Sequence, residues 1–217
     1  MSDAAAKEKE HRATVHAYTW AGYLGLFGCV AAVVGDVVTV GLRDGMSLMA
    51  HSISHTAAGE HSLIVDTGLC IFAAGILAIA WSLHHWQLGG RYYRAGTIAL
   101  GLCAISIFFL AVWNGYDPAA ADDLGLHMWL VYAMSALFPL SALLLAGGFG
   151  EVHHNWKRFS LAGIALWMLA GPLYYVMPES VKGLFERVVM SLIVIWVAGI
   201  SLLLIQHGRK VAARTRR

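Results

Sequence analysis

An all-α bundle of six membrane-spanning helices with both termini in the cytoplasm is the fold class this sequence predicts, and two observations carry it. The first is six long apolar stretches, at Ala17–Leu42, Ser62–Trp86, Gly96–Trp113, Leu126–Phe149, Phe159–Val176 and Leu184–Gln206. Each is near the ~20 residues that cross ~30 Å of hydrocarbon. The composition agrees, with 59% hydrophobic and 13% charged residues where a soluble domain carries roughly 25% charged, and a mean hydropathy of +0.64. A soluble globule is excluded. Lipid offers the backbone no hydrogen-bond partner, so the stretches must be helices.

The second observation is charge. Lys7, Lys9 and Arg12 precede the first stretch, Arg91 and Arg94 join the second to the third, and Lys157 and Arg158 join the fourth to the fifth. With Arg209, Lys210, Arg214, Arg216 and Arg217 in the tail they make twelve basic residues, against Arg43 and Lys182 on the other side. By the positive-inside rule the termini face the cytoplasm of a cytoplasmic (inner) membrane. Residues 1–16 form a cytoplasmic arm, 17–206 the transmembrane domain and 207–217 a basic tail. That tail belongs beside anionic lipid, and no nucleic-acid partner is expected.

The first stretch is too long for the apolar core of a signal peptide and reads as a retained span. Its Gly22, Gly25, Gly28, Ala32 and Gly35 make a small-residue stripe for close helix packing. The second span ends at His84 and His85; the third closes at Asn114 and Asp117; the fourth opens with His127, contains Pro139 and is followed by His153 and His154. In the fifth, Pro172 follows Gly171. Each proline should leave the carbonyl one turn earlier without its helical donor. Cys29, Cys70 and Cys103 all fall within spans and read as packing residues. The two halves show no self-similarity, which argues against an inverted-repeat transporter.

Helix rise brings the polar residues into one layer. Counted from the cytoplasmic ends, Asp36, Asp66, Glu186 and Arg187 lie about 27–30 Å up, level with Asn114, Asp117 and His127. Carboxylates inside a span are costly unless they face the bundle interior and find a partner. Arg187 is the only basic residue within a span and the natural counter-ion for Asp36. Asp36, Asn114, Asp117, Glu186 and Arg187 are therefore candidate ligand-binding residues, and Ser54, Asp66 and His127 candidate catalytic ones.

Over this layer lies an outer loop, Arg43–His61. A helical turn there would put His51 and His55 on one face, the spacing two ligands of one zinc require, with Asp66 or His127 as a third. Ser54 in the same loop is a candidate nucleophile if an imidazole lies beside it. On the cytoplasmic side, His84 or His85 with His153 or His154 would supply the two axial ligands of a b-type haem. Three readings follow: an outer-side pocket for a membrane lipid or small amphiphile, with metal-dependent hydrolysis as its catalytic form; a haem-binding electron-transfer subunit; and a non-catalytic accessory subunit packed against a membrane-protein partner.

Several short motifs give the chain a resemblance. They are Ser54 before a second span bearing Asp66, Gly68 and Gly75, an aromatic end of the third span reaching Asp117-Pro118, a fourth span opened by His127, and Gly183-Leu184-Phe185-Glu186-Arg187 at the start of a sixth that bears Trp196. In these the chain resembles the six-span prokaryotic membrane proteins of the domain-of-unknown-function 998 family. The resemblance covers most of residues 17–206 and implies the architecture and the outer polar layer, without a reaction. A looser likeness, in residue types without matching order, is to membrane hydrolases that use Ser, Asp and three His, such as the alkaline ceramidase superfamily.

Overall fold

The computed structural model describes residues 3–113 and 125–215, and among them it is all helix and turn, without strands. The helices are α1 (Asp3–Leu42), the one-turn α2 (Ile53–Thr56), α3 (Ser62–Trp86), α4 (Arg91–Val112), α5 (Leu126–Val152), α6 (His154–Tyr174) and α7 (Glu179–Thr215). Five of them, α1, α3, α4, α5 and α7, are long and apolar enough to cross a membrane. The protein is a multi-pass membrane protein. α6 spans the same kind of length, about 31 Å at 1.5 Å per residue, but its first turns carry Asn155, Lys157 and Arg158 and dilute its hydropathy. Helix also continues beyond the apolar limits at both ends, from Asp3 and as far as Thr215, since Ala, Glu, Lys and Arg are strong helix formers.

The six long helices pack in chain order, α1 on α3, α3 on α4, α4 on α5, α5 on α6 and α6 on α7, and α7 returns to α1 and closes the ring. The α1–α3 seam is the most extensive, and the small-residue stripe explains it. A Cβ on Gly28 would lie 2.8 Å from the Phe72 Cα, and one on Gly75 would lie 3.0 Å from the Gly25 Cα, so only hydrogen fits between these backbones. On the α7 side, Gly22 and Gly25 meet Ser201 and Ile205.

The interior is aromatic. Phe138 of α5 is edge-on to Trp167 of α6 and Trp196 of α7, with ring centroids 5.0 and 5.7 Å apart. Phe138, Phe149 and Trp196 are at most 1% exposed. Both buried indoles keep a polar partner, as they must away from water. Trp196 donates to the Ser160 hydroxyl at 3.1 Å. Trp167 donates to the Ser135 carbonyl at 3.1 Å, the carbonyl that Pro139, having no N–H, leaves without its helical donor. At the basic end of the bundle His207 of α7 stacks on Trp86 of α3 at 3.8 Å, with Tyr18 of α1 edge-on to it at 5.1 Å. α7 is thus fastened to α1 and α3 at that end by rings.

Trp167→Phe keeps an aromatic ring but removes the indole N–H with the pyrrole part that bears it, orphaning the Ser135 carbonyl and leaving a small void. The variant is expected to lose about 1–3 kcal/mol, read as a lower unfolding temperature in mild detergent. Wild-type melting would show that the carbonyl finds another donor.

Candidate functional site

At the other end of the ring the chain between α1 and α3 is folded inward and tied to α7. The tie begins with Gly183. A Cβ there would collide with the His51 backbone, so only glycine lets this loop lie on the first turns of α7. Leu184 N–H then donates to the Met49 carbonyl at 2.9 Å, and the Glu186 carboxylate accepts from Ile53 N–H at 3.1 Å.

Arg187 completes the tie. Its Nε and Nη2 donate to the two carboxylate oxygens of Asp36 at 2.7 and 2.9 Å. Nη1 donates to the carbonyls of Leu48 and His51 at 3.0 and 2.6 Å and to Gly183 at 3.1 Å. Nη2 also reaches the Thr56 hydroxyl at 3.4 Å. A guanidinium has five N–H donors in one plane, and protein groups engage its whole fork. The two side chains are 14% and 10% exposed, so this is a buried bidentate pair serving the loop.

From the far side of the loop, Arg43 donates to the carbonyls of His55, Thr56 and Ala58 at 3.2, 3.4 and 2.7 Å, satisfying the C-terminal end of α2. Ser52 caps its N-terminal end by accepting from His55 N–H at 3.1 Å. In the sequence Arg43 is visible only as a charge. Its partners are carbonyls, which carry no residue-type signal, so no pattern could have named them.

α2 thereby forms one wall of a cavity of about 610 Å³. Ser52, Ile53, Ser54 and Ala57 line it from the loop, Leu69 from α3, Leu110 from α4, His127 to Ser135 from α5, Trp167 to Tyr175 from α6 and Glu186 to Met190 from α7. From His127 to Ser135 is eight residues, so the cavity reaches about 12 Å into the bundle. Ser52, Ser54, His127 and Glu186 gather at the loop end. The deeper wall is Val131, Met134, Trp167 and Val189, with Ser135 the polar exception.

Within it Ser54 Oγ and His127 Nε2 stand 3.2 Å apart. The loop serine and the residue opening α5, 73 positions apart in sequence, make a hydroxyl–imidazole pair facing one space. Asp66, the third candidate catalytic residue, is buried at 6% exposure on α3, three residues before the cavity-lining Leu69. Glu186 lines the cavity, whereas Asp36 and Arg187 are joined beside it. Asn114 and Asp117 lie outside the described residues.

The candidate zinc ligands His51 and His55 do meet, edge to face with centroids 4.9 Å apart. His51 Nδ1 accepts from Ser47 N–H at 3.0 Å. Burial, reinforced by the nearby His51 and Arg43, holds the His55 imidazole below its ordinary range. Among the described residues no three His, Cys, Asp or Glu side chains converge as a metal site requires. The haem candidates have local partners: His84 Nδ1 pairs with Thr97 Oγ1 at 3.0 Å, His85 Nδ1 with the Trp81 carbonyl at 2.8 Å, and His153 Nδ1 accepts from Asn155 N–H at 3.2 Å. α3, which bears the first pair, packs on α1 and α4, while the second pair sits at the junction of α5 and α6.

Residues 26–203 match a known family, described as protein of unknown function (DUF998). Neither a curated protein nor a solved structure matches the chain significantly. The matched span includes every residue of the cavity and of the Gly183–Arg187 tie.

Arg187→Ala would leave Asp36 buried without its counter-ion and strip donors from the Leu48 and His51 carbonyls. A loss of about 3–5 kcal/mol is expected, the cost of breaking a buried pair from one side. Arg187→Lys should restore little of it, because an ammonium cannot serve a carboxylate bidentately and reach those carbonyls as well. Thermal unfolding and limited proteolysis between residues 43 and 61 measure both effects; a protease-resistant Arg187→Ala loop would refute the tie.

Proposed function

The chain belongs to the DUF998 family, and from that premise we propose that it binds one amphiphile within the membrane, in the cavity enclosed by α2 and the ends of α3 to α7. The observation that carries this reading is the division of polarity along the cavity. Serine hydroxyls, an imidazole and a carboxylate ring the loop end, and an apolar wall of aliphatic, methionine and tryptophan side chains leads inward. A molecule with a polar head and an apolar chain matches both parts at once. The volume supports a single ligand of lipid-fragment size, since ligand pockets run to about 300–1,000 Å³.

Among the described residues Glu186 is the only formally charged side chain in the lining, and one of its carboxylate oxygens is spent on Ile53 N–H. Heads bearing a positive or hydrogen-bond-donating group suit such a rim, and anionic heads do not. Tyr175 on the same rim adds an aromatic face that favours a cation, while the neighbouring Tyr174 ring already has the Lys182 ammonium 5.6 Å from its centroid.

In this reading α6 is a sixth span. Its basic first turns, together with the arm, the α3–α4 loop and the tail, put both termini in the cytoplasm by the positive-inside rule. The cavity then opens at the level of the outer leaflet, where Tyr and Trp side chains at the membrane boundary are at home.

Two measurements test this. Native mass spectrometry of the detergent-purified chain, titrated with a zwitterionic single-chain amphiphile, should show one bound copy. Val131→Trp, which fills the apolar wall, should weaken binding at least about tenfold, or some 1.4 kcal/mol; unchanged affinity would place the ligand elsewhere. For the orientation, a reporter fused after Arg217 should read as cytoplasmic, and a periplasmic reading would invert the bundle and move the cavity to the inner leaflet.

A further inference from the structure

We propose that Ser54 is a nucleophile, with His127 as its general base, that cleaves the carboxylic ester joining the head of an amphiphile to its acyl chain. This rests on the amphiphile-binding reading above and adds a reaction to it.

The hydroxyl's partner is the first observation. In an apolar bundle a serine or threonine ordinarily returns its proton to a carbonyl of its own helix. Thr39 does so with Gly35, Thr67 with Leu63, Ser106 with Leu102 and Ser201 with Val197, at 2.6–3.0 Å. Ser54 instead faces an imidazole nitrogen 3.2 Å away on another helix, within reach for proton transfer. The second is access. Both residues line the cavity, so the oxygen is presented to a ligand; by contrast Ser82, Ser141 and Ser160 are fully buried.

The third observation is placement. With an acyl chain against Val131, Met134 and Trp167 and the head among Glu186 and the rim tyrosines, the linkage between them falls beside α2. That turn is braced on both sides of Ser54, by Glu186 on Ile53 N–H and by Arg43 on the carbonyls that follow. Such bracing is what holding a nucleophile in attacking geometry requires.

The chemistry closes with water as its only co-reactant. Ser54 Oγ adds to the ester carbonyl carbon while His127 Nε2 takes the hydroxyl proton, which requires the tautomer protonated on Nδ1. The bond to the alcohol oxygen breaks and His127 returns the proton to the leaving alcohol. Water, deprotonated by His127, then attacks the acyl-serine, releases the carboxylic acid, and the proton goes back to Ser54 Oγ.

The test treats the full chain, purified in mild detergent, with a long-chain alkyl fluorophosphonate. An activated serine forms the O–P bond and expels fluoride, and peptide mass spectrometry locates the adduct. One adduct on Ser54 is expected, absent in Ser54→Ala and formed at least about 100-fold more slowly in His127→Gln, the smaller end of a general base's contribution. The wild-type chain is titrated in parallel with the unreactive amphiphile of the preceding section. Wild-type protein that binds this amphiphile but forms no Ser54 adduct overturns the nucleophile and leaves the binding reading standing. Protein that binds no amphiphile overturns both. Because the adduct is mapped on the wild-type chain, the result does not depend on either variant folding.

Discussion

The ion pair between Arg187 and Asp36 is the constraint on which the loop end of this bundle depends. A charge within a span is tolerated only where it is paired and its remaining hydrogen-bonding capacity is met. Here one guanidinium meets both oxygens of one carboxylate and turns its remaining donors on backbone carbonyls of the α1–α3 loop. The pair therefore does two things at once. It joins α1 to α7, the first and last helices of the ring, and it fixes the loop that would otherwise lie in solvent over the bundle mouth.

From that fixation the cavity follows. α2 is a single turn, too short to be stable alone, and it persists because its ends are met from outside: Ile53 N–H by Glu186, the closing carbonyls by Arg43, and Thr56 beneath Arg187. Gly183 permits the contact, and Leu184, Glu186 and Arg187 make it. The Gly-x-x-Glu-Arg segment is thus a single device, in which glycine admits the loop backbone, glutamate holds the start of α2 and arginine holds what precedes it. Placing Ser54 opposite His127 is a consequence of where that turn is pinned.

Much of this was legible in the sequence because membrane burial makes a few residue types conspicuous. Arg187, alone among basic residues in a span, had to find an acid, and Asp36 on the small-residue face of α1 was at the right depth. The glycine stripe announced a close helix neighbour, and Pro139 announced an orphaned carbonyl. What remained out of reach is pairwise. The stripe does not say that α3 is the neighbour, nor Pro139 that Trp167 supplies the donor, because each partner is set by how the ring closes. Depth along the helices puts His127 in a layer shared by several helices and leaves Ser54 in the loop above it, and only the folding of that loop selects the pair. α6 illustrates the opposite difficulty: its helix is real and lies in the ring, but Lys157, Arg158 and Asn155 at its start lower the signal that marks a span.

The same tie constrains how the proposed amphiphile would reach the cavity. Lifting the loop means breaking the bonds of its backbone to Leu184, Glu186 and Arg187, and it uncovers the ion pair of Arg187 with Asp36. Parting helices laterally breaks only apolar contacts, and in hydrocarbon those are replaced by contacts with lipid chains at small cost. The slightest interface of the ring is between α6 and α7. α6 also carries Gly171, beside which there is open space, and Pro172 in its last turn, where the helix has lost a hydrogen bond and bends most readily. For the proposed amphiphile, already dissolved in the bilayer, the side wall formed by the end of α6 would then be the route of lowest barrier, with its chain in lipid throughout. On that route the head of the proposed amphiphile would meet the polar rim last.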